Sequence, residues 1–266
     1  MITEGRCRLA HADEGPASAR GTSVRSRASW PTKAMLLAAG QGTRLRPLTT
    51  RIPKCMVPLG GRPVLEYAIE RLGQYGVSHV MINLCYLPNV VVNHFGDGSR
   101  WGVEISYSVE REPLGTAGGV KNVASFFDGP FFVWYGDNLS TCKLDRLYEF
   151  HRSKGGLATL ALHYREDPTA SGIVGLDDDD RIVRFLEKPR PDQVFSHWVS
   201  AGIFVLEPDV LEAISADEAS DFGRDVFPAL LAGGQPLYGY RMSSDEGLWW
   251  IDTPRDLRRV KGQYSA

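Results

Sequence analysis

Hydrophobic positions along this chain fall into short runs cut by glycine, proline and charge, and the runs set the expected elements. Ala34–Ala39 is unbroken, short and closed by glycine, which predicts a strand buried on both faces. Pro63–Tyr75 changes period: Leu65, Ile69 and Leu72 share a helical face, Pro63 suits a first turn and Gly76 a terminus. Val77–Leu84 reads as a strand, Pro88–Phe95 as a short helix, Val103–Val109 and Phe131–Tyr135 as strands, and Leu144–Lys154 as a helix. Strand and helix alternate through this half, which argues for a mainly parallel sheet.

The rhythm then changes. Leu157–Tyr164, Gly172–Leu176, Arg181–Glu187 and Ala201–Leu206 are strand-like with few helical signals between them. Helices return at Phe222–Leu231 and Pro254–Val260. The expected fold class is α/β: a Rossmann-like mixed sheet, mainly parallel and flanked by helices, with a smaller sheet region laid against it. Residues 34–264 are expected to form one domain. Residues 1–33, rich in Ala, Arg, Ser and Gly, carry a net charge of +3 and no sustained period, and are expected to be a disordered extension. Asp177–Asp180, four aspartates between two strands, is expected to be a solvated hairpin turn, because no calcium-loop spacing surrounds it.

Composition narrows the function classes. With 266 residues, 43% of them hydrophobic, the chain can bury a large core. A net charge of −2 offers no electrostatic reason to expect nucleic acid or an anionic membrane as partner. No apolar run approaches the ~20 residues that span a bilayer. Four widely spaced cysteines and six scattered histidines form no ligand cluster, so free thiols in a reducing cytoplasm are expected rather than disulfides or zinc.

The chemistry concentrates in LLAAGQGTRLRPLTTRIPKCMVP, residues 36–58. A strand runs through Ala39 into Gly40 and Gly42, and the missing side chains of these glycines let backbone N–H groups approach a phosphate chain. Thr43, Arg44, Arg46 and Lys54 add a hydroxyl and positive charge. No Gly-Lys-Ser/Thr follows, so this is not a Walker loop, and Leu45 stands where a dinucleotide fingerprint needs its third glycine. Two carboxylates, Asp137 and Asp252, each follow an apolar run, at the edge where open α/β sheets bind ligands. Glu187-Lys188-Pro189 ends another strand, and Pro113–Gly119 is a second loop of small residues, open to close approach by a planar base.

LLAAGQGTRLRPLT, with the PKCMVPLGGRPVLEY that follows it, resembles the signature of the sugar-1-phosphate nucleotidylyltransferases, and similarity continues at intervals to about Tyr264. The resemblance implies direct transfer of a nucleotidyl group from a nucleoside triphosphate to a sugar 1-phosphate, with pyrophosphate leaving. It implies that Arg44 and Lys54 hold the triphosphate and that Asp137 and Asp252 hold Mg²⁺. Lys188 would align the sugar phosphate, and Glu187, Gly172 and Ser200 would line the sugar pocket. The loop with Gly115, Thr116 and Gly118 would read the base. Its Leu-Gly-Thr-Ala-Gly, with Asn83 and Tyr86, is closest to mannose- and heptose-1-phosphate guanylyltransferases, so GTP is the preferred nucleotide. Related uridylyl-, cytidylyl- and thymidylyltransferases, or a non-catalytic regulatory relative, are the alternatives. A homo-oligomer is compatible with the sequence. Nothing resembles the hexapeptide β-helix of longer relatives, so no acetyltransferase or regulatory solenoid is expected.

Overall fold

In the computed structural model, residues 30–264 are described, Asp217 excepted. Of the expected extension, residues 1–29 lie outside the described part. Trp30 belongs to the fold, its ring packed 5.8 Å from that of Phe132 and 5.2 Å from that of Tyr148. The strands are β1 (Lys33–Leu37), β2 (Pro58–Leu59), β3 (Arg62–Pro63), β4 (His79–Leu84), β5 (Glu104–Val109), β6 (Phe131–Tyr135), β7 (Asn138–Ser140), β8 (Ala158–Tyr164), β9 (Gly172–Leu176), β10 (Ile182–Glu187), β11 (Trp198–Leu206), β12 (Leu237–Arg241) and β13 (Leu248–Trp250). The helices are α1 (Val64–Gln74), α2 (Pro88–Phe95), α3 (Gly115–Lys121), α4 (Leu144–Lys154), α5 (Phe227–Ala232) and α6 (Pro254–Tyr264).

One nine-stranded mixed sheet organises the molecule, in the order β10-β9-β11-β6-β1-β4-β5, with β8 pairing β11 and β12 beside that path. Strands β6, β1, β4 and β5 are mutually parallel, as the alternating first half predicts. Strand β11 then joins β6 and β8 antiparallel, and β9 and β10 follow antiparallel as well. The switch from parallel to antiparallel coincides with the loss of helical signals in the sequence, because antiparallel neighbours need no crossover helix.

Both faces of the sheet are covered. Along β1, Ala34 and Leu36 enter one apolar core while Met35 and Leu37 enter the other, as the two-residue period of a strand requires. Helix α1 lays Leu65, Ala68, Ile69 and Leu72 on the first core; Ala117 and Val120 of α3, with Phe222, Val226 and Phe227, close the second. A third cluster, including Leu45, Val57, Leu59, Leu139, Ile251, Leu257 and Val260, lies under the glycine-rich loop and ties it to α6.

Three expectations change. The small-residue stretch Pro113–Gly119 is largely helical, since Gly115 opens α3. The run Leu248–Ile251 is not a strand of the main sheet: β13 pairs antiparallel with β7 in a separate two-stranded ribbon. Finally, Phe222–Val226 forms a π-helical turn before α5 instead of entering one continuous helix. The four aspartates do form a hairpin turn, in which Asp177 Oδ1 accepts from the N–H groups of Asp179 and Arg181 and Asp180 takes φ 62°.

Candidate active site

Four charged side chains meet at the carboxyl end of β1 and β6. The chain leaves β1 through Gly40 and Gly42, and Gly42 adopts φ 64°, a left-handed conformation costly for other residues. A Cβ there would stand 2.7 Å from Lys54 Cβ, so this glycine also makes room for the lysine. Thr49 Oγ1 donates to the Gly42 carbonyl at 2.7 Å and folds the loop back. Arg44 sits on the short 3₁₀ turn that follows.

Asp137 and Asp252 are 115 residues apart in sequence and are brought together by the β7–β13 ribbon. Its register pairs Asn138 with Trp250. Asp137 immediately precedes β7 and Asp252 lies just beyond β13, so the two carboxylates emerge at the same end. Lys54 Nζ lies 2.5 Å from Asp137 Oδ2 and 2.5 Å from Asp252 Oδ1, and Arg44 Nη2 lies 3.1 Å from that same Asp252 oxygen. Only 10% of the Lys54 side chain is exposed, against 63% for Arg44. Burial works against the Lys54 charge, but Asp137 and Asp252 outweigh it and hold its pKa above that of an ordinary lysine. Burial likewise opposes ionisation of Asp252, and Lys54, Arg44 and Lys188 reverse the balance and hold its carboxyl below the usual range.

Across a cavity of about 290 Å³ stands the end of β10. The Glu187 carboxylate lies between two glycines: a Cβ on Gly172 would come within 2.7 Å of Glu187 Oε2, and one on Gly223 within 2.6 Å. Phe185 closes the same space, 2.5 Å from the Gly172 position. Burial pushes the Glu187 carboxyl above its ordinary value, although Lys188 and Arg224 oppose this. Lys188 holds φ 48°, a left-handed conformation unusual for a side-chain-bearing residue, with its N–H donated to the Ser171 carbonyl at 3.1 Å. Strain of this kind concentrates at functional sites, where the surroundings hold it in place.

Of the sequence-predicted residues, Arg44, Lys54, Thr116, Asp137, Gly172, Glu187, Lys188, Ser200 and Asp252 line this cavity. Ala39, Gly40, Gly42, Thr43, Gly115 and Gly118 are not among its lining residues. Several N–H groups expected to face a base are engaged inside the protein. Ala117 and Gly118 donate to the Ser220 carbonyl at 2.8 and 3.0 Å, and Thr116 donates to Asp221 Oδ1 at 3.2 Å. Behind α3, Asn83 accepts from the Ala38 N–H at 2.9 Å and donates to Glu110 at 2.8 Å, and Glu110 accepts from the Leu114 N–H at 3.0 Å. This buried chain ties the glycine-rich loop to α3.

The sequence reading missed Tyr135, Asn138, Asp221, Gly223, Arg224 and Trp250 as cavity residues. Gly223-Arg224 resembled an ordinary helical stretch, and no local signal shows that the turn carrying it faces β10. Trp250 belongs to an apolar run, and nothing in that run shows that it borders the cavity. Among the described residues, no group of three or more His, Cys, Asp or Glu is arranged to hold a metal, so the cation-binding potential of the site rests on the pair Asp137 and Asp252.

Comparison with known proteins agrees with this architecture. The chain is 42% identical over 233 residues to mannose-1-phosphate guanylyltransferase of Mycobacterium tuberculosis, across 85% of this chain and 62% of that one. It is 38% identical over 234 residues to UTP–glucose-1-phosphate uridylyltransferase of Synechocystis sp., across 83% and 59%. The chain therefore spans about 60% of the length of these relatives. The fold matches a crystal structure of a putative glucose-1-phosphate thymidylyltransferase from Bacillus anthracis in complex with a sucrose, with TM-score 0.78 and 24% identity over 87% of this chain and 94% of that one. It also matches HddC from Yersinia pseudotuberculosis complexed with GMP-PN, with TM-score 0.73 and 23% identity over 87% and 99%. Residues 33–260 match the family model described as nucleotidyl transferase, and this chain belongs to that family.

Proposed function

We propose that this chain transfers a nucleotidyl group from a nucleoside triphosphate, with GTP preferred, to a sugar 1-phosphate of mannose or heptose type, giving a nucleotide sugar and pyrophosphate. One observation carries the reading. A cation–carboxylate cluster of Arg44, Lys54, Asp137 and Asp252 faces a glycine-cradled carboxylate and a strained lysine, Glu187 and Lys188, across a single cavity. The first half suits a polyphosphate and the second a phosphorylated polyol.

A phosphate oxygen of the sugar 1-phosphate attacks the α-phosphorus; the bond from that phosphorus to the bridging oxygen of the leaving pyrophosphate breaks. The attacking phosphate is already ionised near neutral pH, so no protein base is needed, and catalysis rests on positioning and charge stabilisation. Arg44 and Lys54 stabilise the triphosphate. Lys188 aligns the incoming phosphate, and Glu187 accepts hydrogen bonds from sugar hydroxyls.

The residues present fit Mg²⁺. Asp137 and Asp252 converge on one point, now held by the Lys54 ammonium, and Mg²⁺ favours one or two carboxylates completed by phosphate oxygens and water. Bound there, Mg²⁺ supplies neutralisation of the phosphate charge. With Asp137 and Asp252 holding the ion, the Lys54 ammonium would be available to triphosphate oxygens. The preference for GTP is supported by the 42% identity to the mannose-1-phosphate guanylyltransferase; the 38% identity to the UTP–glucose-1-phosphate uridylyltransferase favours UTP as the second reading. The reading places the chain in the cytoplasm, and no helix among the described residues is long and apolar enough to cross a membrane.

The test is a matrix of GTP, UTP, CTP, dTTP and ATP against hexose and heptose 1-phosphates, read by pyrophosphate release. Fastest release with GTP and a mannose-type substrate is expected. No release with any pair would remove the enzyme reading in favour of a non-catalytic binding protein.

A further inference from the structure

The sugar end of the active-site cavity holds a second carboxylate that the proposed chemistry leaves without a task. Asp221 lines the cavity and immediately precedes the π-helical turn Phe222–Val226. Its two oxygens differ in their surroundings. Oδ1 accepts from the Thr116 N–H at 3.2 Å and from the Thr116 hydroxyl at 3.1 Å. Thr116 Oγ1 in turn accepts from the Phe222 N–H at 2.9 Å, and the Asp221 N–H donates to Asp225 Oδ2 at 2.7 Å. Side chain and backbone are both tied, so the carboxylate is held in one orientation. Among the described residues, Oδ2 accepts no hydrogen bond. The nearest cation, Arg224 Nη1, stands 3.7 Å away, beyond hydrogen-bonding range and on a side chain that is 64% exposed.

Asp221 and Glu187 belong to one wall. A Cβ on Gly223 would come within 2.6 Å of Glu187 Oε2, so the turn that follows Asp221 is pressed against the strand that ends in Glu187. Asp221 is near enough to add to the rise that burial imposes on the Glu187 carboxyl, against Lys188 and Arg224. Neighbouring carboxylates repel each other, a cost that hydroxyl donors from a ligand offset. We propose that Asp221 is a specificity-determining residue, whose free oxygen accepts a hydrogen bond from a sugar hydroxyl that Glu187 does not hold. The assignment rests on the proposed transfer reaction. The sugar is then read at two positions along one edge of its ring, and a substrate has to present a hydroxyl at both. Thr116 sits in the loop expected to read the base, and it acts at the sugar end as a positioning residue by fixing Asp221. A site built to pair with a hydroxyl rejects the analogue that lacks it, because the desolvated acceptor is left without a partner.

Pyrophosphate release is measured for the wild type, Asp221→Asn and Thr116→Val, using the best sugar 1-phosphate and its monodeoxy analogues with one ring hydroxyl removed at a time. Asp221→Asn keeps an oxygen for the two Thr116 donors and puts an amide donor where the free carboxylate oxygen stands. With the parent sugar, kcat/KM is expected to fall about tenfold or more in this variant. For one monodeoxy analogue the wild type is expected to lose a similar factor, whereas Asp221→Asn uses that analogue and the parent equally well. Against the other analogues the variant should discriminate as the wild type does. Its KM for the triphosphate should stay within about twofold, which also shows that it is folded. Thr116→Val should raise the KM for the sugar 1-phosphate and leave that for the triphosphate unchanged. Calorimetric binding of the same sugar 1-phosphates repeats the comparison with a readout that survives a loss of turnover. Discrimination by Asp221→Asn equal to that of the wild type at every ring position overturns the proposal, as does an unchanged kcat/KM with the parent sugar. A rise confined to the triphosphate KM in Thr116→Val overturns the positioning role. No release by the wild type with any sugar 1-phosphate sinks the transfer reading itself, and this assignment falls with it.

Discussion

The two ends of the active-site cavity are built on opposite principles. At the end proposed for the triphosphate, Arg44, Lys54, Asp137 and Asp252 form a cluster of charge, with three contacts between 2.5 and 3.1 Å. At the end proposed for the sugar, Gly172 and Gly223 leave space that one Glu187 carboxylate fills. A charge cluster tolerates small displacements, because Coulomb attraction falls slowly with distance. A steric cradle does not, because a single methyl group meets a repulsive wall. Substitutions that preserve shape should therefore damage the first end most, and substitutions that preserve charge the second.

The largest effect is expected from removing charge. Asp137→Asn and Arg44→Ala should each lower turnover by ~10²-fold or more, the scale seen when one group stabilising a transition state is lost. Pyrophosphate release under saturating substrates measures it, and near-wild-type turnover in either variant contradicts the role assigned to that residue. Lys54→Met removes the charge but keeps much of the length, and it should cost a similar factor of ~10² in turnover. The same variant should bind Mg²⁺ more tightly than the wild type in the absence of nucleotide, because an internal cation no longer competes for Asp137 and Asp252. Calorimetric titration with MgCl₂ reads this directly. Equal or weaker binding in the variant would mean that the ammonium and the metal do not share a place.

The sugar end is probed by adding a methyl group. Gly172→Ala and Gly223→Ala should raise the KM for the sugar 1-phosphate by about tenfold, the order of 1–2 kcal/mol expected for moderate overpacking. The KM for the triphosphate should stay within a factor of about two, since the two substrates meet different walls. A parallel rise in both KM values would dissolve the distinction between the two ends. The smallest effect is on stability. Lys188→Gly relieves the left-handed strain at φ 48°. It should raise unfolding stability by about 0.5–1 kcal/mol in thermal or denaturant melts, the relief exceeding the added entropy of the unfolded chain. The same variant should lose affinity for the sugar 1-phosphate.

Much of the fold was legible because its strands are buried on both faces. The runs at Ala34–Leu37, Phe131–Tyr135 and Gly172–Leu176 have to be apolar at nearly every position, and such runs stand out without any tertiary knowledge. The short strand β7 escaped because three residues carry no period, and β12 because its alternation passes through Gly239. Helix α3 escaped for a different reason: Gly-Thr-Ala-Gly-Gly has poor intrinsic helix propensity, and its first N–H groups are satisfied by Ser220 and Asp221, a hundred residues away. The charged residues of the site were legible singly, each beside a glycine or at the end of an apolar run. Arg224 and Gly223 were not, because what distinguishes them is the carboxylate they face.

By itself, the sequence determined which charged and small residues stand at the ends of apolar runs, and that a strand must end beside several of them, since residue type and hydrophobic period are local properties. Only the tertiary structure decided that Asp137 and Asp252 share one cation, that two glycines cradle Glu187, and that Thr116 holds Asp221 at the same cavity. Those facts depend on the register of β7 with β13 and on the approach of the Phe222–Val226 turn to β10. Both are contacts between distant segments, and no local pattern of polar and apolar residues encodes the distance between two such segments.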